Sequence, residues 1–234
     1  MTAVNTPSAV SATCAEFGAP FRTELILIRH PEVSIEAGIC YGKSNVSLRD
    51  PVDRAAHDLS RHLDQHLDRQ PDRHIGDRMR LYSSPLDRCA SVAAWIAMQW
   101  DAPLHIDADL SELDFGDWEL RRWDDIERPM IDAWAADIEH GAPHGGESAA
   151  AVASRAQRWL ARAGHGSPRT IVAFTHAGVI RLLASRLLGE SIDESLRRPL
   201  GFGSLCRFID VAAPGAANAA WRLDAWNVRG ELPA

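Results

Sequence analysis

The chain has no uncharged apolar run approaching the roughly 18 residues a membrane span needs, so no segment reads as a spanning helix. Cysteine is scarce: Cys14, Cys40, Cys89 and Cys206 are irregularly spaced and form no C-x-x-C pair. That pattern argues against a disulfide framework or a zinc knuckle, and a reducing cytoplasm is the expectation. Positive charge is in deficit, with 25 Lys and Arg against 32 Asp and Glu, a net charge of -7. No nucleic-acid partner and no anionic membrane surface is therefore expected, although a local basic pocket is compatible with this balance. Residues 1–22 are rich in Ala, Ser, Thr and Pro. They lack both the basic start and the solid apolar stretch of a secretory signal, and read as a mobile N-terminal tail. Internal repeats and low-complexity stretches are also missing. What remains, residues 23–234, reads as a single domain, and 46% hydrophobic with 24% charged residues suits a soluble globular chain with a full core.

Two short apolar runs each end on a histidine. Leu25–Ile28 leads into Arg29, His30 and Pro31, and Ile171–Thr175 leads into His176, Ala177 and Gly178. Short β-branched runs without helical period read as buried strands, most simply parallel ones. Further strands are expected at Met79–Ser83, Leu104–Ile106, Phe202–Val211 and Trp221–Val228, the last two paired around Pro214 and Gly215. Apolar residues at Val52, Ala55, Ala56, Leu59, Leu63 and Leu67 predict a helix over 51–69. Other helices are expected from Ser84 to about Gln99, over 125–139, from Glu147 to about Ala163, and over 179–188 with Gly189 as its stop. Leu110–Trp123 reads as loop. Strands alternating with helices predict an α/β fold, a three-layer α/β/α sandwich around a mainly parallel, mixed central sheet.

In open parallel sheets ligands bind beyond the carboxyl ends of the strands, and both histidines fall there. His30 in that position could be a nucleophile, a general base or a metal ligand. The adjacent Arg29 disfavours an imidazolium and a metal and favours an anion. Arg88 lies in the first turn of a helix expected to be capped by Ser84. Its guanidinium is expected to lean toward the free N–H groups there, so that 83–88 reads as a phosphate clamp. The loop Leu110–Glu119 offers Glu112, Asp114, Asp117 and Glu119 among aromatics. A carboxyl near apolar walls can hold a proton for a leaving group, and composition does not choose among the four.

In order, these segments are Leu-Ile-Arg29-His30, Ser-Ser-Pro-Leu-Asp-Arg88, Leu-Ser-Glu112-Leu-Asp-Phe-Gly-Asp-Trp-Glu, Gly145-Gly146-Glu147-Ser148 and Thr175-His176-Ala177-Gly178. Together they resemble the histidine phosphatase superfamily, from about Glu24 to Val228. The resemblance implies that His30 attacks phosphorus and carries the phosphoryl group. Arg29, Arg88 and His176 would bind the phosphate oxygens, and Glu112 would protonate the leaving oxygen and then help activate water. Ser44, in a loop similar to that of the small-phosphatase branch, and Ser148 join the substrate-binding candidates; Ser148 reaches either phosphate or only the backbone. A small phosphorylated substrate is implied, with no cofactor and no metal, in a monomer or homodimer.

The chain departs from the family pattern at Pro31 and at Leu120, where glycine is usual. The modest stretch between Glu112 and Gly145 favours a hydrolase, most similar to alpha-ribazole phosphatase-like proteins. Two alternatives remain, phosphoglycerate mutase-type transfer and a non-catalytic phosphate-binding module. His62 and His66, four apart on a helix, could suggest a metal, but a solvated pair is the simpler expectation. Trp95 and Trp159 are expected in the core, and Trp118, Trp123 and Trp134 near the mouth.

Overall fold

A computed structural model describes residues 23–67, 79–166, 169–212 and 220–229. The expected tail over 1–22 and the turn at Pro214 and Gly215 lie outside the described residues. In chain order the elements are β1 (Glu24–Arg29), α1 (Val52–His66), β2 (Met79–Ser83), α2 (Asp87–Gln99), β3 (Leu104–Ile106) and α3 (Arg128–Ala136). They continue with α4 (Ala149–Ala163), β4 (Thr170–Thr175), α5 (Ala177–Leu188), α6 (Ile192–Leu196), β5 (Leu205–Asp210) and β6 (Trp221–Val228). The strands form one sheet in the order β3-β2-β4-β1-β5-β6. β1, β2, β3 and β4 pair in parallel, whereas β5 is antiparallel to both β1 and β6.

Strand alternation divides the core into two layers. Leu25 and Leu27 of β1 and Ile171 and Ala173 of β4 face Val152, Ala156 and Trp159 of α4 and Ile180 and Leu183 of α5. Ile26, Ile28, Val172 and Phe174 face Leu59 and Leu63 of α1 and Val92 and Ile96 of α2. Helices thus cover both faces, the expected three-layer arrangement. Because both faces of β1 and β4 are covered, their sequences are continuously apolar. A third cluster of Cys40, Trp118 and Ile126, with Phe115, Trp123 and Trp134 packed on it, fills the space under the long loops.

Several boundaries differ from expectation. α2 starts at Asp87 with Leu86 as its N-cap residue, not at Ser84. Ser84 Oγ instead accepts from Leu86 N–H at 3.2 Å, forming a local turn ahead of the helix. The segment expected as one helix over 125–139 is a 3₁₀ turn, Trp123–Asp125, followed by α3, with a proline in the first helical turn where its missing N–H costs nothing. α6 was not expected, although Ser191 accepting from Glu194 N–H at 3.2 Å is a readable cap. His62 is not solvated: it is 4% exposed, with Nε2 3.1 Å from the Val228 carbonyl of β6. Among the described residues no helix is long and apolar enough to cross a membrane, and no group of three or more His, Cys, Asp or Glu could hold a metal.

Candidate active site

Register alone brings the two histidines together. Arg29 pairs with Thr175 across β1 and β4, so His30 and His176 are the next residue on each strand. The His30 N–H donates to the Thr175 carbonyl at 3.0 Å and the Ser84 N–H donates to the Phe174 carbonyl at 2.9 Å, so three strand ends converge. The His30 and His176 ring centroids are 5.3 Å apart. Both imidazoles are buried, at 2% and 0% exposure.

His30 Nδ1 lies 2.7 Å from the Pro31 carbonyl. A carbonyl only accepts, so Nδ1 carries the proton and Nε2 keeps its lone pair. Pro31 removes an amide N–H from the site, yet its carbonyl fixes the tautomer of His30. Burial, and then the Arg88 and Arg29 cations, lower the His30 pKa from the usual 6.5 to about 3. His176 is held well below its ordinary value by the same burial and by Arg88, His30 and further arginines. Its Nε2 lies 2.8 Å from Ser84 Oγ, and the Cys89 thiol packs beside it.

Arg88 is 1% exposed and does not lean toward the N–H groups of its own helix. Its Nη1 donates to the Ser44 carbonyl at 2.7 Å and its Nη2 to the Gly42 carbonyl at 2.6 Å. The expected orientation fails because a guanidinium carries only donors and needs acceptors, which helix N–H groups cannot supply. The N–H of Asp87 is taken by Asn45 Oδ1 at 3.0 Å. Arg29 Nη1 donates to the Leu200 carbonyl at 2.6 Å, and its guanidinium stacks 3.8 Å from the Phe202 ring centroid. The Nε groups of Arg29 and Arg88 are both buried without a hydrogen-bond partner among the described residues. The Tyr41 ring packs against His30 in a T-shaped arrangement, 6.5 Å between centroids.

Glu112 reaches the same end of the sheet. Its Oε2 accepts from Gly178 N–H, two residues after His176, at 3.2 Å, and its Oε1 accepts from Leu113 N–H at 3.1 Å. A Cβ at position 178 would collide with Glu112 Oε1, so the bare Cα of Gly178 leaves room for the carboxyl in this position. His30, His176, Arg29, Arg88 and Glu112 are therefore brought into one site. Ser44 touches it through its carbonyl on Arg88; its hydroxyl donates to Glu119. Ser148 caps α4, accepting from Ala151 N–H at 3.2 Å.

Sequence reasoning missed several supporting residues. Glu119, one of the four acids among which composition does not choose, accepts from Lys43 N–H at 2.7 Å and from Phe115 N–H at 3.1 Å as well as from Ser44. It thereby pins the loop whose carbonyls hold Arg88. Arg155 and Phe202 were also missed. Arg155 was detectable: it is a charge among Val152, Ala153, Ala156 and Trp159, on the apolar face of its helix.

The sequence matches the histidine phosphatase superfamily (branch 1) over residues 25–228. It is 33% identical over 110 residues to the adenosylcobalamin/alpha-ribazole phosphatase of Escherichia coli strain K12, covering 45% of this chain and 54% of that protein. The match thus spans about half the length of that relative. It is 29% identical over 234 residues to the glucosyl-3-phosphoglycerate phosphatase of Mycolicibacterium vanbaalenii, covering 89% of this chain and 96% of that one. The structure superposes on the alpha-ribazole phosphatase of Shigella flexneri with a TM-score of 0.69 and 26% identity, covering 90% of this chain and all of that one.

Proposed function

This chain belongs to the histidine phosphatase superfamily, branch 1, and we propose from that premise that it hydrolyses small phosphomonoesters through a phosphohistidine, without a metal. The observation that carries the reading is a pair of arginines, Arg88 buried and Arg29 half-buried, each with a buried Nε. Arg88 binds neutral carbonyls, and both Arg29 and Arg88 keep an unpartnered Nε beside two neutral imidazoles. Buried guanidinium donors of this kind call for a multiply charged oxyanion, and phosphate geometry matches them.

The chemistry follows from the groups present. Arg29, Arg88 and His176 hold the phosphoryl oxygens and neutralise charge that develops on them. His30, with its proton on Nδ1, attacks phosphorus through Nε2. The bond to the ester oxygen breaks, and Glu112 in its protonated form delivers a proton to the departing alkoxide. Glu112, now a carboxylate, takes a proton from water as the water oxygen attacks the phosphohistidine. The N–P bond breaks, and inorganic phosphate leaves with His30 restored. The negative charge of the phosphoryl oxygens favours the charged form of His176, while His30 attacks in its neutral form with the Nε2 lone pair free.

The names of the relatives indicate which substrates to assay first, alpha-ribazole 5'-phosphate and then glucosyl-3-phosphoglycerate. The decisive experiment is release of inorganic phosphate from an aryl phosphate in excess EDTA, with the wild type and His30→Ala. Turnover that survives EDTA, with a phosphorylated protein that disappears in His30→Ala, is the expected result. Full turnover in His30→Ala would overturn the assignment of the nucleophile, and loss of wild-type turnover in EDTA would overturn the metal-free mechanism.

A further inference from the structure

Glu112 sits on a loop without regular secondary structure, yet general acid catalysis needs its carboxyl held to a fraction of an ångström. Outside the residues given a chemical role, the most heavily bonded charged side chain is Arg155, which is 7% exposed on α4. Its Nε and Nη2 donate to Glu147 Oε1 and Oε2 at 2.9 and 3.0 Å, a two-pronged pair. The same guanidinium donates to the Asp109 carbonyl through Nη1 at 2.6 Å and to the Glu112 carbonyl through Nη2 at 3.1 Å. Glu147 completes the clasp: its Oε2 accepts from Asp114 N–H at 3.2 Å, and its own N–H donates to the Asp114 carbonyl at 2.9 Å. Thr175 Oγ1, next to His176, donates to the Leu110 carbonyl at 2.7 Å and ties the same loop to β4. The loop is therefore gripped at 109, 110, 112 and 114, on both sides of Glu112.

We infer that the Arg155–Glu147 pair is the positioning device for the proton-donating carboxyl of Glu112, fixing it against Gly178 N–H. This rests on the role given to Glu112 in the proposed phosphatase reaction. The geometry selects arginine. A lysine ammonium can keep the charge, but it cannot hold a carboxylate in a fork and two carbonyls at once. Burial excludes water from replacing the lost bonds easily.

The test compares the wild type with Arg155→Lys and Glu147→Gln, the second carrying the measurement if the first does not fold. The first readout needs no activity: amide hydrogen exchange at Gly178, with Ser84, bonded within the strand ends, as the internal reference. Exchange at Gly178 should accelerate by about tenfold or more, and that at Ser84 should not. The second readout is the leaving-group dependence of the single-turnover rate of alcohol release, which isolates the first step from the phosphohistidine hydrolysis that both esters share. An alkyl phosphate, whose departing oxygen needs a proton, should lose this rate on the order of 100-fold, whereas 4-nitrophenyl phosphate should lose about threefold or less. Unchanged exchange at Gly178, or an equal loss on both esters, would overturn the inference and leave Arg155 a fold-stabilising residue. If Gly178 exchange accelerates in the variants while the wild type hydrolyses neither ester, the positioning stands and the phosphatase reading falls.

Discussion

Moving the His30 imidazole out of water penalises its charged form, and the neighbouring arginines penalise it further. Both effects keep a lone pair on Nε2 at neutral pH, which a nucleophile needs, while the Pro31 carbonyl keeps the proton on Nδ1. The substitution of proline for the usual glycine thus leaves the orienting acceptor intact, because the carbonyl, not the side chain, makes the contact. Gly178 has a comparable role for the carboxyl, since its bare Cα lets Glu112 approach the start of α5. Gly178→Ala should displace the Glu112 carboxyl and break its bond to the amide. We expect kcat for an alkyl phosphate to fall by about 10- to 100-fold, with little change in phosphate affinity, measured by product inhibition. An unchanged kcat would show that Glu112 does not act from this position.

At the scale of elements, the site is built where strands stop and loops begin, and the loops carry the strain. Leu120 adopts φ +62°, a left-handed conformation, while its N–H donates to the Cys40 carbonyl at 2.6 Å. Its side chain is 60% exposed and contributes little packing to offset this. Glycine usually stands here in the family branch this segment resembles, and the backbone explains why. Leu120→Gly should raise stability by about 0.5–1 kcal/mol, the relief of strain less the entropy of glycine in the unfolded chain. Leu120→Val, β-branched, should lower it by about 1 kcal/mol. Urea midpoints at constant slope measure both, and a lower midpoint for Leu120→Gly would contradict the strain. Two 3₁₀ turns flank Glu112, Ala108–Leu110 and Gly116–Trp118, and bend the chain so that Arg155, Glu147 and Thr175 can each take a backbone group.

For the whole molecule, buried neutral histidines set the response to acid. His30, His176 and His144 all have lowered pKa values in the folded state, chiefly from burial. Below the ordinary value of 6.5 the unfolded chain binds protons that the native state excludes, so stability rises with pH in this range. The benefit is complete above pH 6.5 and is lost as pH falls toward the folded value of about 3 for His30. Glu24, raised by burial, opposes this by at most one proton. Each excluded proton is worth about 1.4 kcal/mol per pH unit. Urea unfolding between pH 7 and pH 5 should show the loss, and saturating phosphate, by favouring the charged form of His176, should lessen it; a flat profile without phosphate would contradict the burial of neutral imidazoles. Much of the fold was legible beforehand, because strand periodicity, apolar continuity and turn residues are local properties. Leu25–Ile28 and Ile171–Thr175 could be read as buried strands, and the order of His30, Arg88, Glu112 and His176 along the chain carried the family resemblance. Their convergence depends on β1 and β4 being neighbours in parallel register, which no local pattern specifies. The direction of the Arg88 guanidinium, the burial of His62 and the grip of Arg155 on the loop at Glu112 were also beyond reach. Each depends on which acceptors residues 43 to 166 positions away bring to the same place. The sequence by itself determined the elements and the chemical groups available. The tertiary structure decided which of those groups meet, because a buried charge or polar atom settles only where distant parts of the chain supply its partner.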